Sequence, residues 1–280
     1  MSLTPSTFPI IPLVKRKSVL ALLEKGKRLD GRGLNEYRPL SIELGYIPKA
    51  EGSALVRLGN TVVLVGIKTG VGSPFPDTPD EGILLVNAEF LPLASPSFEP
   101  GPPDENATEL ARVVDRSLRE IRAVDRSKLA IIPGKKVWEL WVDIYVLDHD
   151  GNLLDASMLA AMAALSSAKM PEIAVENDEV KLNREKLKNP VPVNRRVVIV
   201  TVGKIGEYLL VDPTLEEESL LDARLAIAVS DDGRIVGMQK MGMGTFTAEE
   251  VRKALTMAME SSKMLHENLA KTLKGKGKVK

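Results

Sequence analysis

The chain has 280 residues, 44% hydrophobic and 4% aromatic, with Lys+Arg 38 against Asp+Glu 38. That length supports one large domain or two small ones, and the balanced charge means that any nucleic-acid binding must come from a local patch. Zero Cys excludes disulfides and thiolate metal sites, two His (His149, His266) exclude a His-rich metal centre, and the few aromatics argue against a base-stacking platform.

Residues 1–14 read as a polar, Pro-containing arm, and Lys15 to Lys25 as a short amphipathic helix ended by Gly26. Arg28-Leu29-Asp30-Gly31-Arg32 is a turn. Tyr37–Leu44, Ser53–Leu58, Thr61–Thr69 and Ile83–Leu91 read as strands, with Gly59-Asn60 as a hairpin and residues 70–82 as a loop. The rigid stretch Glu99-Pro100-Gly101-Pro102-Pro103-Asp104 then leads into a helix reaching about Ala123. Asn106 is its expected N-cap, with Glu109 at N3 as a capping box.

Lys136–Leu147 alternates as a strand, which places Trp138 and Trp141 on opposite faces. His149–Asn152 forms a turn. Leu153 to Lys169 is a helix apolar nearly all round, so it must be buried. Pro171–Asn194 is polar and Pro-bounded and reads as a linker between a first half (15–170) and a second (195–270). In that second half Arg195–Val202, Glu207–Val211, Ala223–Val229 and Arg234–Lys240 read as strands. Thr247 to Glu250 opens a last helix reaching about Leu273, and residues 271–280 read as a disordered Lys-rich tail. Strands and helices are grouped, not alternating, which indicates an α+β fold. No apolar run reaches transmembrane length and the opening residues do not form a signal peptide, so a soluble, cytoplasmic protein with no membrane contact is expected.

The helix after the Pro/Gly loop carries Arg112, Arg116 and Arg119 on one side, at i, i+4, i+7. Residues 112–128 hold six cations against three acids, a local positive excess. Two readings stay open on the residues alone. The arginines could pair with Glu109, Asp115 and Glu120, or their guanidinium forks could hold phosphate oxygens. Asp212, Glu216, Glu217, Glu218 and Asp222 could likewise form a solvated acidic face or a divalent-metal site.

These blocks together resemble a known family. Arg28-Leu29-Asp30-Gly31-Arg32, Glu99 to Arg119, and Leu147 to Ala156 occur in the order found in RNase PH-type exoribonucleases, and they look like those of the second such subunit of the archaeal exosome. The resemblance covers roughly residues 15–270. It implies an RNase PH-like α+β fold of two pseudo-repeated β-α-β halves with sheets backed by helices. The first half would be built like a ribosomal-protein domain, and the second would be the C-terminal RNase PH domain.

It also implies a hexameric ring of three heterodimers, each pairing an active with an inactive subunit. RNA-binding cap proteins and single-stranded RNA are the further partners, and inorganic phosphate attacks the RNA 3′ end. Arg112, Arg116 and Arg119 would line the RNA path.

Active members resemble D-G-G-T/S-R at the phosphate cradle. The matching residues here are Asp150-Gly151-Asn152-Leu153-Leu154, and leucine can neither donate to phosphate nor offset its charge. Active members also carry two acids six apart, where this chain gives Glu218 and Arg224, although a two-residue slip to Asp222 would restore an acid. The expectation is therefore a subunit with no catalytic residue, metal or bound cofactor of its own, with phosphate used by its partner.

Overall fold

The computed structural model describes residues 13–176 and 178–275. The first sheet contains β1 (Leu40–Leu44), β2 (Gly52–Leu58), β3 (Thr61–Gly72), β4 (Ile83–Phe90), the short β5 (Ala130–Ile132) and β6 (Lys136–Asp148). Their order is β1-β2-β3-β6-β4, with β5 on the end of β6, and only the β4–β6 pair is parallel. The second sheet joins β9 (Val197–Ile205), β10 (Tyr208–Val211), β11 (Ala223–Ser230) and β12 (Ile235–Met241). It is antiparallel throughout, in the order β10-β9-β11-β12.

Five α-helices among the described residues pack with these sheets: α1 (Leu13–Leu23), α2 (Glu105–Glu120), α3 (Leu153–Ser167), α4 (Leu215–Glu218) and α5 (Ala248–Lys274). The all-apolar helix is the centre of the molecule. α3 packs on β2 and β3 of one sheet and on β9 of the other. A helix pressed between two sheets has no wet side, so its unbroken run from Leu154 to Leu165 is buried. Close approach also sets Gly52, where a Cβ would lie 2.6 Å from the Ala164 carbonyl oxygen of α3. A single apolar cluster runs through both halves.

Several expectations are corrected. The residues read as a linker form a hairpin, β7 (Lys169–Glu176) with β8 (Glu179–Pro190). β8 is exposed along nearly its whole length, so no apolar alternation marks it as a strand. Backbone pairing and Arg184, which donates to the Thr69 carbonyl at 2.7 Å, hold it instead. The N-cap of α2 is Asp104, not Asn106: Asp104 Oδ1 accepts from Ala107 N–H at 2.7 Å. Glu109 makes no capping box and accepts from Gln239 of β12 at 3.4 Å. α2 also ends at Glu120, short of Ala123, because Arg122 turns left-handed at φ 49°.

The strand expected from Tyr37 starts at Leu40, β3 extends to Gly72 into the supposed loop, and α4 was not anticipated. α5 continues through Lys274 into the residues read as a disordered tail, while residues 276–280 and 1–12 lie outside the described residues. α1 opens the first half in sequence but packs on the second: Val19 and Leu23 cluster with Ile205, Leu210 and Leu220. Trp138 is 5% exposed and Trp141 39%, on opposite faces as the alternation requires.

Candidate functional site

The two stretches singled out as a degenerate cradle and a degenerate acidic pair come together at the N-terminus of α3. Gly151, at φ 85°, lets the turn press against α4, since a Cβ there would lie 2.4 Å from Leu215 N. Leu215 N–H donates to the Asp150 carbonyl at 3.0 Å, which fixes α4 over the turn. Glu218, the last residue of α4, then accepts the Asn152 backbone N–H at 3.0 Å and the Arg224 guanidinium at 2.9 Å through the same oxygen. Arg224 thus pairs with Glu218, and Asp222 is held elsewhere by Arg16 at 2.8 Å.

Asn152 is buried in left-handed backbone at φ 54°. Its side chain faces inward and donates to Asp155 at 2.9 Å and Asp212 at 2.8 Å. Leu154 is buried and Leu153 packs on the same core, so neither side chain offers a polar group at the turn.

Beneath the turn lies an ionic network that sequence reasoning missed. Asp212 is fully buried and also left-handed. It accepts from Arg38 Nε at 2.9 Å, Arg38 Nη2 at 2.7 Å and Arg32 Nη1 at 2.9 Å. Burial alone would raise its carboxyl, but the Arg38 hydrogen bonds and charge outweigh this and hold it below the ordinary carboxylate range. Arg28 donates to Glu217, to the Val211 carbonyl at 2.8 Å and to the Asp212 carbonyl at 2.8 Å. The Arg28–Arg32 turn, read as a local shape, is thereby a clasp between the segment before the first sheet and the start of α4.

Asp155 sits next to this clasp, bonded to Tyr37, Asn152 and Thr201. Burial pushes its carboxyl up to about 6 against those hydrogen bonds.

Each acid of that run has its own cation: Glu216 with Lys15, Glu217 with Arg28, Glu218 with Arg224 and Asp222 with Arg16. Among the described residues no group of His, Asp and Glu is arranged to hold a metal ion.

An open cleft of about 1740 Å³ lies over Glu218 and Arg224, and the Pro/Gly loop forms its other wall with Phe98, Pro100 and Pro102. Phe98 stacks on His149 at 5.3 Å and packs against Phe90 at 4.9 Å, which pins the loop to the turn. From that loop α2 projects its arginines. Arg112 and Arg116 are exposed, and no ion-pair or hydrogen-bond partner holds either among the described residues. Arg119 differs: it donates to Asp115 at 2.8 Å and to the Leu84 carbonyl at 2.5 Å. The salt-bridge reading therefore applies to Arg119, whereas no Glu109–Arg112 pair forms among the described residues.

Residues 36–171 match the family model described as the 3′ exoribonuclease family, domain 1, and residues 196–261 match domain 2. The chain belongs to the 3′ exoribonuclease family. Similar family members include the exosome complex component Rrp42 of Sulfurisphaera tokodaii, 56% identical over 98% of this chain and 99% of that protein. Rrp42 of Aeropyrum pernix is 53% identical over 98% and 100%. A solved structure of the Archaeoglobus fulgidus exosome with RNA bound to the active site contains a chain of TM-score 0.84 and 48% identity, with 91% of this chain and 97% of that one aligned. Rice Rrp46, at 18% identity and TM-score 0.66, shares the fold. Among the described residues of this family member no helix is long and apolar enough to cross a membrane.

Proposed function

We propose that this chain is the non-catalytic RNase PH-like ring subunit of an archaeal exosome, a 3′→5′ exoribonuclease complex. It pairs with an active RNase PH-like subunit, three such pairs closing a hexameric ring that cap proteins and single-stranded RNA engage. The chain binds no cofactor, and the inorganic phosphate that attacks RNA is used by the partner. A cytoplasmic location goes with that role.

One observation carries the non-catalytic reading. At the turn where an active member would hold phosphate, Leu153 and Leu154 supply no side-chain donor and the Asn152 N–H is taken by Glu218. The RNA-contact part of the reading is supported by Arg112 and Arg116, exposed and without an ion-pair partner among the described residues, on the helix that follows the cleft's Pro/Gly wall. Guanidinium groups free of internal partners are available for phosphate oxygens, whereas Arg119 is engaged by Asp115. The test is co-expression with the active homologue. The native mass of the assembly and its phosphorolytic rate are compared with those of each subunit alone. A mixed ring more active than the partner supports the reading, and failure of the two chains to associate sinks it.

A further inference from the structure

α3 begins without a side-chain cap. Asn152 is left-handed and turns its amide inward, so a fifteen-residue helix starts without a side-chain cap on its first N–H groups, and Glu218, which accepts the Asn152 N–H, lines the cleft. A helix N-terminus favours negative charge, and so does a nearby guanidinium. Together they form the kind of place that an oxyanion occupies. In this chain the place is filled from within.

We propose that Glu218 is a built-in anion: its carboxylate sits on the seat at the N-terminus of α3, Arg224 holds it there, and the pair excludes inorganic oxyanions. This deepens the non-catalytic reading and rests on it. Loss of the cradle side chains removes donors, while Glu218 removes the vacancy.

Three features argue for it. The carboxylate is placed by backbone: the Leu215–Asp150 hydrogen bond and the close contact at Gly151 set α4 over the turn, leaving Glu218 within reach of Asn152 N–H. The pairing is shielded, for the Glu218 side chain is 14% exposed and Arg224 32%. Finally, Glu218, Arg224 and Asp150 line the open cleft, so an ion from solvent has a path to the seat once the carboxylate is gone. The other acids of the segment are tied to Lys15, Arg28 and Arg16. Glu218 accepts the backbone N–H of the turn, where Asp212 takes only the Asn152 side-chain amide.

The test uses the full chain and inorganic phosphate, with chloride at matched ionic strength as control, read by thermal unfolding and by ³¹P line broadening. Wild type is expected to show no saturable response. Glu218→Ala is expected to show a saturable response, with phosphate bound about tenfold more tightly than the wild-type detection limit, the upper scale of one charge at a partly buried helix terminus. Glu218→Ala with Arg224→Ala loses that gain. Glu218→Gln, which keeps an oxygen on Asn152 N–H but not the charge, responds less than Glu218→Ala. If Glu218→Ala does not fold, Glu218→Ser takes its place under the same criterion. Saturable phosphate binding by wild type, or a folded small-residue variant that binds no better, overturns the proposal. Nucleoside diphosphate release from RNA by wild type would instead overturn the non-catalytic reading, so the two failures are distinct.

Discussion

Arg38 grips Asp212 through two side-chain nitrogens, at 2.9 and 2.7 Å, with the arginine 6% and the aspartate 0% exposed. The same guanidinium donates to the carbonyls of Asp150 at 2.6 Å and Gly151 at 3.2 Å. One side chain thus joins the segment before the first sheet, the α3 turn and the strand end before α4. Removing it leaves Asp212 charged and buried. Arg38→Met should cost about 3–5 kcal/mol, the usual penalty for breaking a buried pair from one side. Arg38→Lys should recover only part of this, because an ammonium cannot reproduce the fork. Urea unfolding measures both.

Asp155 gives the clasp a pH dependence. Its carboxyl is pushed up to about 6 by burial, against an ordinary value of 3.8. The native state therefore holds this proton more readily than the unfolded chain. The associated stability is complete below 3.8 and is lost as pH rises through about 6. Asp155→Asn removes that contribution. The stability advantage of wild type over Asp155→Asn should widen as pH falls from 7 to 4, by up to about 1.4 kcal/mol per pH unit inside the window. Denaturant titrations at several pH values check it, and a gap that narrows on acidification would contradict it.

The two candidate caps of α2 can be separated by substitution. Asp104→Ala removes the acceptor for Ala107 N–H and should cost about 1 kcal/mol. Asn106 is exposed and its side chain donates only to Asp104, so Asn106→Ala should fall within about 0.5 kcal/mol of wild type. Chemical denaturation of the two variants distinguishes them.

In the assembled complex, Arg112→Ala with Arg116→Ala should weaken single-stranded RNA binding and lower the salt slope by roughly 1.4, at about 0.7 per phosphate contact. Arg119→Ala should leave the slope unchanged, since Asp115 and the Leu84 carbonyl hold that side chain. RNA titrations at several salt concentrations read both effects. An unchanged slope in the double variant would show that these arginines do not touch RNA phosphates.

What the sequence reveals and hides follows from where free energy is local. The buried α3, the alternation of β6 and the capping box at Thr247 are short-range patterns, and each appears in the structure. The hairpin β7–β8 is exposed on most positions and held by backbone pairing, so periodicity does not report it. Asp104 and Asn106 are both cap-forming residue types two positions apart, so the motif alone does not say which one caps α2. Arg38 and Asp212 lie 174 residues apart, and nothing local couples them. Glu218 and Asn152 are separated by 66 residues, so two stretches read as independent losses turn out to bond to each other.

In the proposed function this chain organises RNA for a neighbour and cuts none itself. The most direct measurement is nucleoside diphosphate release from RNA in the presence of inorganic phosphate, by the purified chain alone. No release above the protein-free control is predicted, with release appearing when the active homologue is added. Steady release by the chain alone would contradict the account.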